Sequence, residues 1–121
     1  MSKYTFYEDP GHGWLQVPMG HLVKLGIADK ITSCSYRDSD HAYLEEDCDL
    51  SMFLAAAVLD EPFDDWKGAC AALNGRGDEL REFWNANVIV NDRATLWGAS
   101  EIFIRRLPSY SSKPFNHWEA A

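Results

Sequence analysis

Aromatic and polar side chains alternate over 3–7, and an extended pattern resumes at Trp14-Leu15-Gln16-Val17 after the turn-forming run Asp9-Pro10-Gly11-His12-Gly13. The spacing predicts a hairpin. Pro18 suits a first helical position, Leu22, Val23 and Leu25 supply an apolar stripe, and Gly26 stands where a left-handed C-terminal cap belongs, so a short helix is expected over 19–25. Two strand-like runs, 31–36 and 41–45, flank Asp38-Ser39-Asp40, whose side chains favour a turn, and predict a second hairpin. A helix over 50–59 follows, with Asp49 or Ser51 as its cap and the carboxylates of Asp47 and Asp49 at its positive end.

Pro62 then opens a helix through Trp66, Ala69, Cys70 and Leu73, which Asn74-Gly75-Arg76-Gly77 closes with both glycines available for positive φ. Asp78 is expected to cap the next helix, which carries Leu80, Phe83 and Trp84, and 87–91 reads as a short buried strand. The apolar positions over 96–107 fit two readings, a helix capped near Asp92 or a broken element whose 101–107 half is a strand. A tail from Pro108 that carries Tyr110, Phe115 and Trp118 is expected to dock on the body. Together these elements predict an α+β fold in a single domain over 1–121, with a small antiparallel sheet from the N-terminal hairpins packed against several short helices from Leu50 onward.

Composition agrees with a self-sufficient core: a chain of 121 residues buries roughly two-thirds of its unfolded surface. Hydrophobic residues make up 46% and charged residues 25%, which sets the disordered class aside. No run approaches the roughly 20 apolar residues of a membrane span, and the N-terminal residues lack the pattern of a signal peptide, so a cytoplasmic protein without membrane contact is expected. Cys34, Cys48 and Cys70 are odd in number and far apart in sequence, which predicts reduced thiols and no zinc knuckle.

The net charge of -8 argues against direct nucleic-acid binding, which needs a basic face. Its distribution is uneven, because 38–65 holds ten acids (Asp38, Asp40, Glu45, Glu46, Asp47, Asp49, Asp60, Glu61, Asp64 and Asp65) and no Lys or Arg. Caps and a solvated face account for part of this band. The remainder points to a contact surface for a basic protein partner, with Asp38, Asp40, Glu45, Glu46, Asp64 and Asp65 as the contact residues.

The alternative site is Asp9 with His12, since a carboxylate near an imidazole can serve as a general-base pair or join a metal site. No second His-rich motif supplies further ligands, and His21, His41 and His117 are scattered. The acidic stretch lacks the central glycine and the spacing of an EF-hand. Neither a phosphate loop nor a Gly-x-Ser-x-Gly elbow is present. No cofactor, no metal and no catalytic residue is therefore expected.

The run Phe6-Tyr7-Glu8-Asp9-Pro10-Gly11-His12-Gly13-Trp14-Leu15-Gln16-Val17, followed by Leu25-Gly26-Ile27-Ala28-Asp29-Lys30-Ile31 and Tyr43-Leu44-Glu45-Glu46-Asp47-Cys48-Asp49, resembles a group of small proteins carried by bacteriophages and plasmids. The resemblance covers 1–60, leaving 61–121 as a helical part with an aromatic tail. It implies an accessory role for a mobile element inside a bacterial host, and transfers no activity or catalytic residue. By analogy with small acidic phage proteins of the anti-CRISPR and antirestriction type, the expected function is protein binding that inhibits a bacterial defence complex. The acidic surface would compete with nucleic acid for a nuclease complex. The alternative is a small metal-dependent or acid/base enzyme using Asp9 and His12, and a homodimer packed through the aromatic tail is a third arrangement.

Overall fold

The computed structural model describes residues 4–91 and 102–111. Strand β1 (Tyr4–Glu8) and strand β2 (Gly13–Pro18) form the first expected hairpin, antiparallel from the Thr5–Gln16 pair to the Glu8–Gly13 pair. Helix α1 (Met19–Lys24) follows directly, and Gly26 takes φ 78° behind it, as its position predicted. Strands β3 (Tyr36–Arg37) and β4 (His41–Glu45) make the second hairpin. Antiparallel pairing of β4 with β2 joins the two hairpins, and β5 (Val88–Asn91) adds to the far side of β1 in parallel. The strand order is β3-β4-β2-β1-β5. The expected α+β class holds, but the sheet is mixed rather than antiparallel, because β5 enters after a helical crossover.

The two faces of this sheet are covered by different material. Phe6, Leu15, Val17, Ala42 and Leu44 face α2 (Leu50–Val58) and α3 (Trp66–Leu73), where Met52, Phe53, Ala55, Ala69 and Leu73 complete the main core. Helix α4 (Gly77–Asn87) packs only partly buried side chains, Leu80, Phe83 and Trp84, against that core. On the opposite face Trp14 and Tyr43 are buried under Ile102 and Ile104, beside Tyr7, Tyr36 and Leu107. A 3-10 turn, Phe103–Arg106, forms this lid. The strand reading of 101–107 is thus replaced by a 3-10 turn over 103–106, and the helix expected near Asp92 lies outside the described residues.

Several boundaries move for identifiable reasons. The run 31–36 pairs only at Tyr36, because the preceding loop turns inward and donates the Thr32 N–H and the Ser35 hydroxyl to Asp49. Asp49 occupies the N-cap position of α2 yet makes no capping bond, and the Ser51 hydroxyl donates to Cys48 O instead. Helix α3 begins behind Asp65, not Pro62, because the Asp65 carboxylate accepts the Gly68 N–H at 2.7 Å. Only Gly75 takes positive φ in the next turn, since Gly77 already opens α4, with Asp78 inside its first turn rather than capping it. The strand over 88–91 is half exposed, Ile89 at 57% and Val90 at 48%, because β5 lies at the end of the sheet order.

The expectation of three reduced thiols is also corrected, because Cys34 and Cys48 form a disulfide and Cys70 alone is free. Fourteen residues separate the pair, and the inward turn of the 31–36 loop brings them together. The tail docks as far as it is described. Arg37 N–H donates to Pro108 O, Tyr110 N–H donates to Ser35 O, and the buried Tyr110 hydroxyl donates to Ala28 O. Phe115 and Trp118 lie outside the described residues. Among the described residues no helix is long and apolar enough to cross a membrane.

Gly13 has no room for a side chain, since a methyl built there would run into the Phe6 ring and meet Glu46 Oε2 at 3.0 Å. Gly13→Ala is expected to lower stability by about 1–3 kcal/mol through overpacking, read as a lower denaturant midpoint at constant slope. An unchanged midpoint would mean that the Phe6 ring yields freely.

Candidate functional site

The hairpin register sets the chemistry at one end of the sheet. Glu8 closes β1 opposite Gly13, the first residue of β2, and Trp14 beside it pairs with Glu45, so the ends of β1 and β4 meet the start of β2 there. The loop between β1 and β2 is held by Asp9, whose Oδ1 accepts the N–H groups of Gly11 at 2.9 Å and His12 at 2.8 Å. Its Oδ2 accepts from Arg105 Nε at 3.1 Å, and Arg105 Nη2 lies 2.7 Å from His12 Nδ1. A guanidinium only donates, so Nδ1 is the accepting nitrogen in this contact. Burial pulls the Asp9 carboxyl up, but bonds from Gly11, Arg105 and His12 outweigh it and hold it below the usual carboxylate range. The sequence expectation of Asp9 near His12 is met in space, with Arg105 standing between the two side chains.

Next to this bridge lies a cleft of about 200 Å³ lined by His12, Trp14, Cys34, Tyr36, Glu45 and Arg105. The Arg105 guanidinium stacks 5.0 Å from the Trp14 ring centroid, and the His12 ring stacks 5.9 Å from the same ring. Trp14 Nε1 is buried and finds no hydrogen-bond partner among the described residues. Sequence reasoning missed Trp14, Cys34, Tyr36 and Arg105 as members of this place, because they come from β2, the 31–36 loop, β3 and the 3-10 turn.

The six acids singled out from sequence are not one patch. Asp38 closes the β3–β4 turn, accepting the N–H groups of Asp40 and His41 at 2.8 Å each and the Tyr43 hydroxyl at 3.0 Å. Burial pulls its carboxyl up, while those three bonds win and hold it low. Asp40 is exposed beside it, at the end of β4 opposite Glu45. Asp64 pairs with Lys30 at 3.0 Å and Asp65 caps α3, both on the helical side. Asp60, at φ 57°, is the left-handed residue behind α2. Much of the acidic segment therefore serves turns, caps and one ion pair.

Glu45 and Glu46 do come together, and Glu8 and Asp47 join them. Glu46 N–H donates to Gly13 O at 2.9 Å, and Glu45 Oε1 accepts the Asp47 N–H at 3.2 Å. Partial burial pushes the Glu46 carboxyl up, reinforced by the charges of Asp47, Glu45 and Glu8. Ligand oxygens of Glu45, Glu46 and Asp47 lie within 4.8 Å of one another, but no His or Cys joins them among the described residues, and a solvated acidic cluster needs no ion. Searches against protein-family models, curated proteins and solved structures gave no match for this chain. The site is therefore argued from its own chemistry: a cationic bridge, an aromatic floor, and a rim of carboxylates.

Proposed function

We propose that this chain acts by binding a basic protein surface, with the acidic end of the sheet as the contact. The carrying observation is the gathering of Glu8, Glu45, Glu46 and Asp47, none of which pairs with a described Lys or Arg. Such a row of carboxylates steers a cationic partner and competes for places where that partner holds phosphates. Tyr36 and Glu45 line the cleft beside this row, where Arg105 already stacks on the buried Trp14 ring. Together with the resemblance to phage and plasmid proteins, this supports a mobile-element accessory role in the host cytoplasm. In it, the protein inhibits a bacterial defence complex by occupying the nucleic-acid channel of its nuclease. The enzyme reading has less support, since Arg105 holds both the Asp9 carboxylate and His12 Nδ1.

The triple variant Glu8→Lys/Glu46→Lys/Asp47→Lys is expected to weaken binding to the host complex by about tenfold or more, with a flatter salt dependence. Asp40→Lys/Asp64→Lys, exposed but elsewhere, should leave affinity within about twofold. Binding would be measured on folded variants, checked by circular dichroism, to the complex recovered by affinity capture from bacterial lysate. Equal losses from both variants, or none from the triple, would sink the proposal.

A further inference from the structure

We propose that Cys34 and Cys48 form a redox-active pair that exchanges with low-molecular-weight thiols through Cys34, with Thr32 and Asp49 moving the proton. The argument begins with access. Cys34 is exposed and lines the cleft beside His12 and Arg105, whereas Cys48 is buried under the start of α2. An incoming thiolate therefore reaches the Cys34 sulfur and not its partner. A disulfide with an exposed sulfur is among the labile ones that exchange with small thiols.

The second observation is a polar cluster built around both sulfurs. Thr32 Oγ1 lies 2.7 Å from Cys34 Sγ and 3.4 Å from Cys48 Sγ, and donates to Asp49 Oδ2 at 2.9 Å. Asp49 is fully buried, and its Oδ2 also lies 3.7 Å from Cys34 Sγ and accepts the Ser35 hydroxyl at 2.6 Å. Burial pushes the Asp49 carboxyl up, with the Ser35 and Thr32 bonds pulling the other way, so it holds a proton more readily than a surface carboxyl.

The step balances as follows. The thiolate of a monothiol such as glutathione attacks Cys34 Sγ, a new S–S bond forms, the Cys34–Cys48 bond breaks, and the electron pair leaves on Cys48. With the Asp49 carboxyl protonated and the Thr32 hydroxyl turned from Asp49 Oδ2 to Cys48 Sγ, Thr32 passes its hydroxyl proton to the Cys48 thiolate and takes the proton of the Asp49 carboxyl, which regains one from solvent. A second monothiol then attacks the mixed disulfide, releasing the oxidised dimer of the small thiol and the Cys34 thiolate, which is protonated from solvent. Two electrons and two protons pass from two thiols to the protein. In reverse, Asp49 accepts the Cys48 proton through Thr32, and the resulting thiolate displaces the small thiol from Cys34.

The test uses the full chain with Cys70→Ser, since Cys70 is a second exposed thiol. Protein is equilibrated in glutathione buffers of stepped thiol-to-disulfide ratio, quenched by alkylation and mapped by mass spectrometry. The pair should titrate between oxidised and reduced within ratios that glutathione can reach while circular dichroism stays native. Cys48→Ser should trap glutathione on Cys34, and Cys34→Ser should trap at least about tenfold less on Cys48. Thr32→Val and Asp49→Asn, if folded, should slow reduction of the disulfide about tenfold and shift the pH profile of its rate, which a purely structural role would not do. A disulfide that resists excess glutathione until the chain unfolds, or equal trapping on either cysteine, would overturn the proposal.

Discussion

Asp49→Ala is expected to cost about 3–5 kcal/mol, one of the two largest effects of any single change described for this chain. The carboxylate is fully buried and accepts the Thr32 N–H at 3.1 Å, the Thr32 hydroxyl at 2.9 Å and the Ser35 hydroxyl at 2.6 Å. Removing it strands three donors away from water. The damage spreads further, because Ser35 Oγ accepts the Glu45 N–H and Ser35 O accepts the Tyr110 N–H, so one carboxylate orients the 31–36 loop against β4 and the tail. Asp49→Asn keeps the shape and one acceptor, and should cost markedly less.

The pH dependence has a definite sign. A carboxyl raised by burial binds its proton more tightly folded than unfolded, so its stabilising contribution is complete below the unfolded value of about 3.9. That contribution is lost as pH rises through the folded value. Asp9 and Asp38 are shifted the other way and lose theirs as pH falls, so the wild-type curve alone mixes signs. The difference between wild type and Asp49→Asn isolates the buried group. Measured by guanidinium unfolding from acid to neutral pH, wild type should lose ground to the variant as pH rises. A constant difference would show that Asp49 is not buried as described.

Phe53→Ala is expected to cost about 3–5 kcal/mol by cavity formation. The Phe53 side chain is fully buried in α2, with its ring 4.9 Å from Tyr4 on β1 and 6.1 Å from Phe83 on α4. It therefore packs three elements, β1, α2 and α4, against one another. Phe103→Ala is the contrast. That ring is 43% exposed although it meets Tyr7 and Tyr43 edge-on, so its loss should cost about 1 kcal/mol. Thermal or denaturant unfolding would rank the two, and equal costs would contradict the layering of the core.

Local patterns in the sequence were enough for the first hairpin, α1, β4 and α2, and for the α+β class. Each of these depends on short-range physics: alternation at period two, proline at a helix start, glycine at a left-handed cap, and aspartates in turns. Asp9 near His12 was legible for the same reason, since one tight loop holds both. What failed were positions whose partners lie far along the chain. Asp49 looked like a cap, but Thr32 and Ser35 offer it better-placed donors from a loop 14 to 17 residues away. The acidic band looked continuous in sequence, but strand pairing sends Asp38 and Asp40 to one end of β4 and Glu45 to the other, where Glu8 arrives from β1. Arg105 reaches Asp9 across 96 residues, and Cys34 reaches Cys48 only through the inward loop. Local sequence thus determined the elements and the single tight turn at the site. Long-range pairing, which depends on how two faces of one sheet are covered, decided which charges meet, which thiols join, and where the cleft lies.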